Sequence, residues 1–126
     1  MPFIHVKSLA FEPALKVHAI VEGITKDFAK GTGIGLEHVT ATWEFLPAGH
    51  YAVAGKTSSR QPETSHPVLV DLLPPDFNSP AQIEKMLRTV AVSISKRVKV
   101  PITNIFIYHR QVQSGTVFDA GEVVRW

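Results

Sequence analysis

Pro67-Val68-Leu69-Val70-Asp71-Leu72-Leu73-Pro74-Pro75-Asp76-Phe77-Asn78-Ser79-Pro80-Ala81-Gln82 holds the plan of the chain in sixteen residues. Val68 to Leu73 is a short apolar run closed by two prolines, and it predicts a strand. Ser79-Pro80-Ala81-Gln82 predicts a helix start. Ser79 is the N-cap, Pro80 takes the first helical position, and Gln82 can close a capping box. Ile83, Met86, Leu87, Val90, Ala91, Ile94 and Val98 then recur with helical spacing as one apolar stripe. Pro101 stops the helix, and Ile102 to Tyr108 is the next strand.

The first half follows the same order. An apolar segment, Phe3 to Leu9, starts at Pro2. A helical pattern from Pro13 to about Lys30 carries Val17, Ile20, Val21, Ile24 and Phe28 on one stripe. Gly31, Gly33 and Gly35 end it, and His38 to Leu46 is rich in strand formers. Pro2 matches Pro67, Pro13-Ala14 matches Pro80-Ala81, and Leu36-Glu37-His38-Val39 matches Ile102-Thr103-Asn104-Ile105. The chain therefore reads as a duplicated β-α-β unit, with parallel strands inside each half because a helix joins them. Residues 48–65 are polar and loop-like around a short strand, Tyr51 to Ala54. Residues 111–126 form a hairpin, Thr116–Phe118 and Glu122–Val124 flanking Ala120-Gly121.

The expected class is α+β: one domain over residues 1–126, with repeats at about 2–47 and 67–110. Its four-stranded mixed sheet carries both helices on one face, plus short extra strands. A plain ferredoxin-like fold shares this element order, and spacing alone does not separate the two. The strands are apolar on both sides: Val68, Val70 and Leu72 point one way, and Leu69 and Leu73 the other, around Asp71. One helix layer cannot cover both faces, so subunits are expected to associate. Asp71, costly to bury unpaired, reads as half of an ion pair with a lysine or arginine of another strand or subunit.

Composition narrows the function. Hydrophobic residues make up 44% and charged residues 19% of the 126, which is globular, not disordered. No apolar run is long enough to span a bilayer, and the N-terminus lacks the pattern of a secretory signal, so a cytoplasmic protein is expected. There is no cysteine, hence no disulfide or thiolate chemistry. The net charge is only +2. The densest basic cluster, Lys96, Arg97 and Lys99, sits at a helix C-terminus, where cations complement the helix dipole. No aromatic residues interleave with it, so no nucleic-acid partner is expected. The six histidines show no paired ligand spacing, and Gly31-Thr32-Gly33-Ile34-Gly35 follows a helix instead of opening one. Neither a metal nor another cofactor is expected.

Glu44-Phe45-Leu46-Pro47-Ala48-Gly49-His50-Tyr51-Ala52-Val53-Ala54-Gly55 resembles the end of the first repeat in the tautomerase superfamily. A similar Gly-His-aromatic-Gly-x-Gly stretch follows the second strand of oxalocrotonate tautomerase. The chloroacrylic acid dehalogenases carry a Pro-Ala-Gly at the equivalent place. With Pro2 and the duplicated plan, the resemblance spans essentially the whole chain. Its length is similar to the fused-repeat branch, which includes macrophage migration inhibitory factor and carboxymethyl-hydroxymuconate isomerase. The resemblance implies a homotrimer with sites at subunit boundaries and keto–enol tautomerase activity without a cofactor on a small 2-keto or unsaturated carboxylic acid.

It also implies a role for Pro2. Once Met1 is removed, Pro2 is a free secondary amine. An apolar pocket disfavours its ammonium form, lowers its pKa and makes it a base. Tyr108, by its place at the end of the last repeat strand, can donate a hydrogen bond to a developing oxyanion. Arg110, two residues on, falls on the same face and can grip a carboxylate. Tyr51 and His50 match the pocket-lining stretch. Asp119 stands near the place of a water-activating glutamate in the dehalogenases, or else is a turn residue. The departures are equally concrete. Glu12 and Thr40 stand where oxalocrotonate tautomerase has arginines, Phe28 and Leu73–Phe77 where the dehalogenases have a histidine and arginines, and Ile34 where the inhibitory-factor branch has a lysine. A dehalogenase or hydratase, and a non-catalytic trimeric interaction module, therefore stay open beside the tautomerase.

Overall fold

The computed structural model describes residues 2–126; Met1, whose removal the reading of Pro2 requires, lies outside the described residues. In chain order the elements are β1 (Phe3–Ser8), α1 (Val17–Thr32), β2 (Thr40–Phe45), β3 (Ala52–Val53), β4 (Lys56–Thr57), β5 (Val68–Leu73), α2 (Pro80–Val98), β6 (Ile105–His109), β7 (Val117–Asp119) and β8 (Glu122–Val124). The main sheet runs β2-β1-β5-β6. β1 is parallel to β2, β5 is parallel to β6, and the two halves meet antiparallel along β1 and β5. This is the expected four-stranded mixed sheet with two helices.

Strand alternation builds the core. Ile4 and Val6 of β1, and Val68, Val70 and Leu72 of β5, are fully buried beneath Ile24 and Phe28 of α1 and Val90 and Ile94 of α2. The intervening residues face away from the helices, where Phe106 and Tyr108 are 55% and 46% exposed.

The duplication is uniform in backbone pairing. Phe3↔Thr40 in the first half answers to Leu69↔Phe106 in the second, sixty-six residues on. Leu46 N–H donates to the Ser8 carbonyl as Val112 N–H does to that of Pro74, and Gly49 N–H to Ser58 as Gly115 N–H to Val124. At this spacing Pro2 corresponds to Val68, one residue past the proline that the sequence pattern aligns with it. The stretches matched at 36–39 and 102–105 both open as 3-10 turns, Leu36–His38 and Ile102–Asn104, so β2 and β6 start two to three residues later than expected.

Three boundaries differ for identifiable reasons. Helix α1 begins at Val17 instead of Pro13. The chain leading to it bends at residues 12–13 and is tied down just before that, where Gln61 N–H donates to the Ala10 carbonyl (2.7 Å) and Leu9 N–H to the Gln61 side chain (3.2 Å). Lys16, the N-cap residue, makes no side-chain cap. Of the three glycines expected to end α1, Gly31 lies inside its last turn and Gly33 caps it, at φ +79°. The short strand expected at Tyr51–Ala54 is a two-residue arm, β3, of a hairpin closed with β4. That hairpin and β7–β8 both turn on Ala-Gly pairs, Ala54-Gly55 (φ +52°, +78°) and Ala120-Gly121 (φ +52°, +86°). Positive φ at both central residues is what a two-residue hairpin of right-handed twist needs. Helix α2 starts as expected: the Ser79 side chain accepts from Gln82 N–H (3.2 Å), and the Gln82 side chain accepts from Ser79 N–H (2.7 Å).

The helices are tied together by Arg97, whose guanidinium crosses Gly23 to fork onto Asp27 (2.8 and 3.0 Å), with Ser93 Oγ donating to the same carboxylate (2.6 Å). Arg97, chiefly by hydrogen bonding, holds the Asp27 carboxyl below the usual carboxylate range against the opposing effect of burial. A group with a lowered folded pKa stabilises the fold above its unfolded pKa, and that stabilisation fades as pH falls through the folded value. Asp27→Asn should therefore be less stable than wild type at neutral pH and converge with it in acid, as read by urea midpoints. A methyl on Gly23 would overlap the guanidinium. Gly23→Ala should cost up to about 1 kcal/mol in wild type by displacing this part-exposed pair, yet stabilise an Arg97→Ala background by a similar amount through helix propensity. A thermal-denaturation double-mutant cycle without that change of sign would rule out the clamp.

Candidate active site

Pro2 is buried at the start of β1, and its carbonyl accepts from Thr40 N–H (3.1 Å). Beside this end of the sheet lies a cavity of about 290 Å³ lined by Phe3, Glu37, His38, Thr40, Phe118 and Asp119, among others. The first strand supplies Phe3, the 3-10 turn before β2 supplies Glu37 and His38, and the β7–β8 hairpin folds over to supply Phe118 and Asp119. Asp119 thus shares a cavity with Phe3, the residue after Pro2, although it lies far off in sequence. Its carboxylate also accepts from Ala120 N–H (2.9 Å), so it closes its own turn as well. Glu37 and His38, which the sequence pattern does not single out, approach each other at 3.5 Å. The cavity lining carries two carboxylates and neither lysine nor arginine. Carboxylates favour the charged form of an amine beside them and so oppose the effect of burying Pro2.

Tyr108 and Arg110 occupy the sheet face away from the helices. Tyr108 pairs in register with Asp71, which pairs in turn with His5. It lines a second cavity of about 330 Å³ with His5, Thr42, Asp71 and Phe106. His5 is held there by Thr42 (Nδ1–Oγ1, 2.7 Å) and by stacking on Phe3. Arg110 is anchored by its N–H to the Leu72 carbonyl (2.9 Å), at the level of the β5 end that faces Phe3. Its guanidinium forks onto Asp71, Nε to Oδ1 at 3.2 Å and Nη2 to Oδ2. Asp71 is thereby the ion-paired carboxylate expected from its apolar surroundings, and its partner is the arginine that the sequence nominates for substrate. The carboxylate raises the Arg110 pKa further and offsets its charge.

Tyr51 and His50 are elsewhere. The Tyr51 hydroxyl donates to the Pro67 carbonyl (2.7 Å), and its ring meets His66 edge-on. Pro67 precedes β5, whose opposite end faces Phe3, so within one chain the length of the sheet separates Tyr51 from Pro2. Burial pushes the Tyr51 phenol pKa up. His50 is exposed, on the turn closed by its N–H to the Pro47 carbonyl (3.0 Å). Among the described residues no group of three or more potential ligands could hold a metal ion, and no helix is long and apolar enough to cross a membrane.

Solved structures with this architecture cover nearly the whole chain. Pt0534, solved after inactivation by 2-oxo-3-pentynoate, superimposes with a TM-score of 0.82 at 14% identity, covering 97% of this chain and 94% of its own. A fused 4-OT solved as an asymmetric trimer gives 0.82 at 16% identity, covering 96% and 94%. N1, a member of the cis-3-chloroacrylic acid dehalogenase (cis-CaaD) family, gives 0.79 at 14% identity, covering 97% and 82%. The fold is that of the tautomerase superfamily. No protein-family model and no curated protein matches the sequence. Here that fold presents its first strand with Asp119 in the cavity beside Phe3, Arg110 already paired with Asp71, and Tyr51 hydrogen-bonded at the far end of β5.

Proposed function

We propose that the mature chain is a cofactor-independent keto–enol tautomerase acting on a small 2-keto or unsaturated carboxylic acid, with the Pro2 amine, freed by loss of Met1, as general base. The observation that carries this reading is the burial of Pro2 at the head of β1, whose first residue, Phe3, lines an open cavity, in the tautomerase fold. The inactivation of Pt0534 by a 2-keto acid fits the same class of substrate. The neutral amine takes a proton from one position of the enol or keto acid and returns it to another. Tyr108 donates to the developing oxyanion, and Arg110 turns from Asp71 to the substrate carboxylate. Fused 4-OT neighbours are solved as trimers, which supports assembly of this chain as a homotrimer in the cytoplasm; that assembly would cover the outer sheet face and let Tyr51 and His50 of one copy approach Pro2 of another.

The test is turnover of phenylpyruvate enol and of 2-hydroxymuconate by protein whose intact mass lacks Met1. If neither is turned over, the proposal fails in this form. A second reading, addition of water to an unsaturated acid, is favoured by the place of Asp119 in the cavity. It expects Asp119→Ala to lose activity on halogenated acrylates. Full activity in that variant would remove the role.

A further inference from the structure

The charge of this chain is segregated in a way that its net value hides. The two helices with their caps, residues 16–33 and 79–99, contain eight Lys or Arg and three Asp or Glu. The rest of the chain contains five and eight. The helix layer is therefore strongly basic, whereas the sheet, loops and hairpins are acidic.

Part of that charge is spent internally: Arg97 is clamped on Asp27, and Arg88 is paired with Glu84 along α2 (2.9 Å). The remaining cations in the layer are lysines. Between the helices runs a shallow crease of about 550 Å³, where Lys30 of α1 faces Arg88 and Lys96 of α2 around Gly31, Thr89 and Val92. A neighbouring hollow of about 390 Å³ shares Lys96 and Asp27 with it, extending the crease past the Arg97 clamp. Val92, 48% exposed, is an apolar contact in the middle of the lysines. The helices approach so closely here that a methyl on Gly31 would overlap the Thr89 side chain.

We infer that the α1–α2 face is a docking surface for an acidic, extended segment of another protein, with its carboxylates toward Lys30 and Lys96 and an apolar side chain on Val92. Complementary charge steers the encounter and fixes the register, and Val92 supplies what charge alone does not. The helix layer lies opposite the outer sheet face, so this docking is independent of Pro2 and of trimer assembly through that face.

The experiment uses full-length protein and a labelled twelve-residue Glu/Leu peptide, followed by fluorescence anisotropy. Binding should be measurable at about 20 mM salt and weaken by roughly tenfold at about 200 mM. Lys30→Glu/Lys96→Glu should weaken it by at least about tenfold, whereas Lys56→Glu/Arg125→Glu, with the same change in net charge outside the helix layer, should leave it within about twofold. Val92→Asp should weaken it as well. Three results would each overturn the inference: equal loss in both double variants, tighter binding of a short DNA duplex than of the peptide, or no binding at low salt. Circular dichroism of each variant separates loss of binding from loss of fold.

Discussion

Protein that keeps Met1 ahead of Pro2 should lose about 10²–10⁴-fold in kcat for phenylpyruvate enol, with little change in KM or Tm. The reasoning is chemical. A proline nitrogen joined to a preceding residue is an amide nitrogen, its lone pair delocalised into the carbonyl, and it does not take protons near neutral pH. Freed, it is a secondary amine whose pKa is set by two opposing local effects. Burial at the head of β1 is expected to favour the neutral base, and Glu37 and Asp119, in the cavity that the next residue Phe3 lines, the ammonium form. The pH–rate profile should therefore rise through the pKa of the amine, and Glu37→Gln/Asp119→Asn should move that limb to lower pH. Tyr51 and Arg110 should influence KM more than the position of the limb. Undiminished turnover by protein whose intact mass shows Met1 in place would exclude the amine as base.

Phe28→Ala is expected to have the largest effect on stability, about 3–5 kcal/mol by urea denaturation and roughly 10–20 °C in Tm. Phe28 is fully buried and is the largest side chain of the core. It lies one position after Asp27, on the side of α1 that meets the sheet, so its loss opens a void where helix and sheet join. The clamp of Asp27, Ser93 and Arg97 stands directly beside it and resists collapse of α1 into the space. Resistance to collapse places such a substitution at the costly end of its class. A loss below about 1 kcal/mol would show that the helix layer relaxes freely, contrary to the packing described.

How much could be read in advance depended on the range of the interactions. The start of α2 was legible because Ser79, Pro80 and Gln82 act within one turn. The duplication was legible because apolar periodicity is local and repeats. The start of α1 was not, because the chain leading to it is tied at Leu9 and Ala10 to Gln61, some fifty residues away. The second hairpin strand, Lys56–Thr57, has no apolar alternation of its own and exists only through pairing with Ala52–Val53.

The site divides in the same way. Pro2 stood out by position, and Asp71 by its cost in an apolar run. That Arg110 is the partner of Asp71 depends on the parallel register of β5 and β6, which no local pattern encodes. The same holds for the separation of Tyr51 from Pro2, which follows from the antiparallel meeting of the two halves. Glu37 enters the cavity only because the 3-10 turn before β2 brings it there.

The sixty-six-residue correspondence means that this chain contains two topologically equivalent sheet ends but one chain terminus to place at them. At Val68 the nitrogen that would match that of Pro2 is an ordinary peptide link, and Tyr51 reaches across to the carbonyl just before it. A circular permutant opened between Pro67 and Val68 and carrying Val68→Pro would place a proline amine at the opposite rim of the same scaffold. On the proposed function, the duplicated fold thus carries a second, equivalent address for the base, silent because biosynthesis gives each polypeptide a single beginning.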